Sequence, residues 1–143
     1  MEQIKIKEKA LKVVARKPFV INSLDVAKDK EREMAVFTSA KKLSEYVFVV
    51  TEKSPKKYRW SIVSKLQSAS IDVIDNLYQA NFEQQKQRLF YQKRAGVKLR
   101  LLDHYAEIAF KMQAISQKQM FNIAKYIVEV RKMLAGWSKS TKN

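Results

Sequence analysis

Glycine and proline occur only twice each in 143 residues, at Gly96, Gly136, Pro18 and Pro55. A chain so poor in turn residues lacks the means for the many tight reversals of an all-β domain and points instead to long helices with few connections. The apolar residues agree. In four stretches they recur at alternating steps of three and four, the spacing that lines one face of a helix. The first stretch carries Val36, Ala40, Leu43, Val47 and Val50, and the second Ile62, Leu66, Ala69, Val73, Leu77 and Ala80. The third runs from about Arg88 to Gln113 with Ala95, Leu99, Leu102, Ala106 and Ala109, and the fourth carries Ile123, Ile127, Val130, Leu134 and Trp137.

Local signals punctuate these stretches. Ser54 stands where it could cap the second helix, with Pro55 in the first turn, where its missing N–H costs nothing. Ser116 followed three residues later by Gln119 fits a capping box that starts the fourth helix. Gly136 falls where a helix end would use a left-handed residue. With 46% hydrophobic residues the chain can bury a core of its own. The expectation is therefore all-α, an antiparallel up-down four-helix bundle over residues 31–140. Residues 1–30, which mix a short alternation, a helical turn or two and Pro18, are expected to form an N-terminal extension, and residues 141–143 a basic tail.

The formal net charge is +15, from 29 basic and 14 acidic side chains. Such an excess repels itself unless an anionic partner offsets it, and nucleic acid is the leading class, ahead of acidic protein and anionic membrane. The excess is uneven. Residues 31–53 are neutral overall, whereas 82–113 carry +4 and 114–143 carry +5. From Lys86 to Leu102 there are six cations and no acid.

Spacing gathers these charges. At 100° per residue Lys86, Lys93 and Arg100 share a narrow arc, extended by His104 and Lys111, opposite the stripe of Ala95, Leu99, Leu102 and Ala106. Lys118, Lys125, Lys132 and Lys139 repeat the device across from Ile127 and Leu134. Each row spans roughly 30 to 40 Å at 1.5 Å per residue, long enough to follow several phosphates. Taken singly, a lysine opposite a core stripe is ordinary solvated surface, and Glu107 and Glu129 stand where they could pair with Lys111, Lys125 and Lys132. The collective excess is what predicts a nucleic-acid interface, with Lys56, Lys57 and Arg59 of "KKYRW" as further contacts. Base stacking is one use for Tyr58 and Trp60 there; closing the end of the core is the preferred one. Arg88 and Arg131 project nearer the apolar sides of their helices. Arg94 and Lys98 lie on the flank between row and core. These four are expected at a protein interface.

Much chemistry is missing. Without cysteine there are no disulfides, thiolate zinc sites or cysteine nucleophiles, which suits a reducing compartment. Two isolated glycines make no phosphate-cradling loop. The single histidine, His104, with Asp103 and Glu107 lacks the paired Glu-x-x-His pattern of a di-iron bundle, and Asp72 with Asp75 reads as surface or interhelical partners. No metal, no cofactor and no catalysis by this chain alone are expected. No apolar run approaches the roughly 18 residues that span a bilayer, and "MEQIKIKEKALKVV" is unlike a signal peptide, so a cytoplasmic protein without a membrane partner is expected.

Four stretches, "SPKKYRWSIVSKLQSASIDVIDNLYQAN", "YQKRAGVKLRLLDHYAEIA", "ISQKQM" and "LAGWSKS", resemble one family over roughly residues 31 to 140. It is the four-helix-bundle family of the accessory variability determinant (Avd) of diversity-generating retroelements, related to proteins encoded in intervening sequences of large-subunit rRNA genes. The Lys-Lys-Tyr-Arg-aromatic and Gly-Trp-x-Lys-Ser segments are the most specific parts. The resemblance implies a basic homopentamer that binds the retroelement's reverse transcriptase and template RNA and supports mutagenic cDNA synthesis without doing the chemistry. Its basic surface matches here Lys93, Arg94, Lys98 and Arg100. The alternative is a protein-interaction adaptor, or a protein of the rRNA intervening-sequence type with nonspecific nucleic-acid binding.

Overall fold

The computed structural model describes residues 23–142. Four helices make up nearly all of it: α1 (Ser23–Glu52), α2 (Ile62–Phe82), α3 (Gln85–Lys111) and α4 (Gln117–Lys142), with a 3-10 turn at Lys56–Tyr58 ahead of α2. No strand occurs among the described residues. α1 packs against α2 and α4, and α3 against the same two, so the helices close a ring around one core. Side-chain ties fix the alternating direction. Ser54 Oγ donates to the Ala114 carbonyl at 2.7 Å and Tyr58 Oη to the Met112 carbonyl at 2.6 Å, which brings the α1–α2 and α3–α4 connections to the same end.

The four apolar seams read from the sequence are the core. Every residue of those seams is buried, from Val36 in α1 to Trp137 in α4. A fully buried leucine or isoleucine contributes about 1.5–3 kcal/mol, and Leu43, Leu66, Leu77, Leu99, Leu102, Ile123 and Ile127 are all in that state. The most extensive helix pair is α2 with α3. Their core faces carry Ala69, Ala80, Ala95, Ala106 and Ala109, small side chains that let two helix axes approach closely.

Several boundaries differ from the expectation. α1 begins at Ser23, so residues 23–30 join the first helix, and only residues 1–22 of the expected extension lie outside the described residues. Residues 141 and 142 continue α4 and are no tail; Asn143 lies outside the described residues. Ser54 does not cap α2: its hydroxyl is used on Ala114, and α2 starts only after the 3-10 turn, at Ile62, without a side-chain cap. Gly136 lies within α4, and neither glycine has a positive φ. The left-handed residue that ends α3 is Gln113, at φ 65°. Gln113 N–H bonds to the Phe110 carbonyl and Ala114 N–H to the Ala109 carbonyl, at 2.9 and 2.8 Å, the paired bonds of a Schellman ending. The capping box at α4 is present in both directions: Ser116 N–H donates to Gln119 Oε1 at 2.8 Å, and Gln119 N–H to Ser116 Oγ at 3.1 Å.

The opposite end of the bundle is tied by Arg88. Its Nε donates to the Ala80 and Glu83 carbonyls at 3.1 and 3.0 Å, at the end of α2 where backbone donors are scarce; Ala80 also accepts from Glu83 N–H at 3.3 Å. Its Nη1 reaches Asp29 Oδ2 of α1 at 3.4 Å, and the guanidinium lies 5.5 Å from the Trp137 ring of α4. Asp29 also accepts from Ser140 Oγ at 2.9 Å. One arginine thus connects four helices.

Glu33 belongs to this end of α1. Burial raises its carboxyl above the ordinary 4.5; Arg88 and Lys30 pull it down and Asp29 adds to the rise. Because the folded state favours the protonated acid, the stability this group contributes is present below 4.5 and is lost as pH rises through the raised value. Glu33→Gln is therefore expected to be more stable than the parent at pH 7, with the two converging below pH 4.5. Denaturant midpoints measured across that range check it.

Candidate nucleic-acid interface

Burying the seams of α3 and α4 sets what stands half a turn away. Lys86, Lys93, Arg100, His104 and Lys111 are all exposed along α3, and Lys118, Lys125, Lys132 and Lys139 along α4. The two helices are neighbours in the ring, so the rows belong to adjoining faces. Neither row is neutralised. Among the described residues the only ion pairs are Arg88 with Asp29 and Lys98 with Asp72. The intrahelical pairs open to Glu107 and Glu129 are not formed. Lys56, Lys57 and Arg59 are exposed in the α1–α2 connection, likewise without an acid partner. Rows of unpaired cations on rigid helices can contact a line of phosphates through charge alone, releasing counterions as they do so.

The four positions expected at a protein interface divide. Arg88 has its guanidinium engaged inside the chain, as described above. Arg131 is exposed on α4. Arg94 and Lys98 face α2 across the α2–α3 groove. Lys98 Nζ lies 3.5 Å from Asp72 Oδ2, and Arg94 Nε donates to Asn76 Oδ1 at 3.3 Å. The Asn76 amide nitrogen is used on the Asp72 carbonyl, at 2.8 Å, which aims its oxygen at Arg94. Arg94 also lies 5.6 Å from the Phe90 ring. Together with Asp75 these side chains line an open depression of about 380 Å³. Its charges are of both signs, unlike the rows beside it.

Two features are additional to what spacing alone indicated. Phe90 and Val97 on α3, and Phe121 and Val128 on α4, are about half exposed beside the cation rows. Each pair repeats every seven residues, the same register as the lysines, and that repetition was the available signal. The aromatic turn also divides. Tyr58 is half-buried against the core and hydrogen-bonded, as the end-closing reading expects, whereas Trp60 is 87% exposed and closes nothing.

A family model described as bAvd-like matches residues 34–141, the whole of the bundle apart from the first part of α1. The chain belongs to the bAvd-like family. This is an accessory-type family of all-helical bundles, not a known family of enzymes, and it places the chain among Avd-related accessory proteins. A comparison with curated proteins found no match. Among the described residues of this bAvd-like chain no cluster of acids and histidine could hold a metal ion, and no helix is long and apolar enough to cross a membrane.

The cations of this bundle thus differ in what they do for the fold, and stability measurements separate them. Arg88→Ala removes the donor to the Glu83 carbonyl, one of two donors to the Ala80 carbonyl and the cation beside Asp29, and is expected to lose about 1–3 kcal/mol. Lys98→Gln breaks only a solvent-exposed pair and is expected to change stability by about 0.5 kcal/mol or less. Thermal or urea unfolding of both variants checks the contrast.

Proposed function

We propose that this chain is an accessory protein of a diversity-generating retroelement, binding the element's reverse transcriptase and its template RNA to support mutagenic cDNA synthesis. It does so in the cytoplasm, as a homo-oligomer (a pentamer on the family resemblance), and leaves the chemistry to the polymerase. The observation that carries this reading is the pair of unneutralised cation rows on α3 and α4 in a bAvd-like bundle. Lys86, Lys93 and Arg100 with Lys118, Lys125, Lys132 and Lys139 contact RNA phosphates, and Lys56, Lys57 and Arg59 extend the track. Arg94, Lys98 and Arg131, off the rows, serve subunit or polymerase contacts. The half-exposed Phe90, Val97, Phe121 and Val128 supply the apolar area that such contacts need.

RNA affinity measured across a range of salt tests the reading. For single strands, log affinity falls with log salt by about 0.7 per contacted phosphate. Replacing Lys93, Arg100, Lys125 and Lys132 by glutamine is expected to flatten that slope by roughly 3 and to leave thermal stability nearly unchanged, since all four are exposed. An unchanged slope would remove both rows from the interface. Failure of the parent protein to bind RNA at moderate salt would favour the adaptor reading, in which the cations meet an acidic protein.

A further inference from the structure

The exposed Trp60 stands in a turn that is otherwise held rigid. Ser54 N–H bonds to the Thr51 carbonyl at 3.1 Å, Tyr58 N–H to Pro55 at 3.0 Å, Arg59 N–H to Lys56 at 3.1 Å and Ser61 N–H to Tyr58 at 3.2 Å. Two side chains pin the turn to the far connection, Ser54 on Ala114 and Tyr58 on Met112. Every polar tie holds the backbone, and none engages the indole. An apolar ring of this size gains by burial, yet here it is exposed on a fixed base, directly after Arg59 and three residues after the exposed pair Lys56 and Lys57.

The position of this turn relative to the cation rows gives the ring a use. The α3 row ends at Lys111, one residue before the carbonyl that holds Tyr58. The α4 row begins at Lys118, within the Ser116–Gln119 capping box that opens α4, and the loop leading to it contains the carbonyl that holds Ser54. Both rows therefore run to the end of the bundle from which Trp60 projects. A strand following either row by its phosphates reaches an exposed aromatic ring in a turn that also carries Lys56, Lys57 and Arg59.

The geometry points to Trp60 as a stacking site for an unpaired base, so that the nucleic acid this protein takes is single-stranded at the α1–α2 end of the bundle. Base-on-aromatic stacking is tolerant of sequence, because every base has a π face. The fixed turn means that little conformational freedom is lost when a base arrives. A duplex keeps its bases stacked on each other and offers the ring nothing. The inference rests on the proposed phosphate-binding role of the rows, and it adds a contact that reads bases.

The test compares two probes on the full chain: a twelve-nucleotide uridine strand, and an abasic strand of the same length with the same phosphates. The parent protein is expected to bind the uridine strand about tenfold more tightly than the abasic one. Trp60→Ala should abolish that preference while keeping the parent's salt dependence on the abasic strand, and Trp60→Phe should retain part of it. Equal preference in Trp60→Ala and parent would overturn the inference. The two readings fail separately: loss of salt-dependent binding to the abasic strand indicts the rows, whereas an unaltered base preference indicts Trp60. Two further outcomes would also overturn it. If Trp60→Ala changes the oligomeric state in sedimentation, the ring belongs to a subunit contact. If Trp60→Ala abolishes binding to phosphatidylserine vesicles and leaves the base preference intact, the ring belongs to a membrane contact.

Discussion

Once a helix commits its three-four seam to a shared core, the residues half a turn away have to face water. That constraint links fold to function in this chain. The seams of α3 and α4 place Leu99, Leu102, Ile127 and Leu134 inside, and the same rotation places Lys93, Arg100, Lys125 and Lys132 outside. Sliding either row inward would require burying ammonium groups, at a cost of several kcal/mol each. The rows are therefore as fixed as the core. α1 shows that the fold does not demand them, because its outward positions mix Lys41, Lys42 and Glu45 and the bundle closes equally well.

Cations in such a bundle are not all surface charges waiting for an anion. Arg88 caps the end of α2, pairs with Asp29 and stacks on Trp137, so its charge is used in closing the end of the bundle. Lys98 and Arg94 are partly spent on Asp72 and Asn76. Among the described residues the basic excess is concentrated on α3, α4 and the Lys56–Arg59 turn, while the cations of α1 and α2 are offset by acids on the same helices.

The sequence disclosed the core almost entirely, since seam burial follows directly from helical period. It also disclosed the Ser116–Gln119 box, whose two bonds are made between residues three apart. It was silent where a residue's role depends on distant chain. Ser54 has the right identity for a cap, but the Ala114 carbonyl, sixty residues away, takes its hydroxyl. Gly136, expected to end the fourth helix, lies inside α4, which runs on to Lys142, whereas α3 ends in a left-handed glutamine, a residue type that carries no such signal. Tyr58 and Trp60 are two residues apart and look alike in the sequence. Only the position of the Met112 carbonyl decides which one is tethered and which one is free.

The central claim is that RNA lies along α3 and α4 and not along α1. Chemical acetylation of lysines, quantified residue by residue with and without bound RNA, measures this directly on the unmodified protein. The account predicts protection of Lys86, Lys93, Lys118, Lys125, Lys132 and Lys139, with Lys41 and Lys42 of α1 equally reactive in both states. Protection of Lys41 and Lys42, or no protection along the two rows, would contradict it.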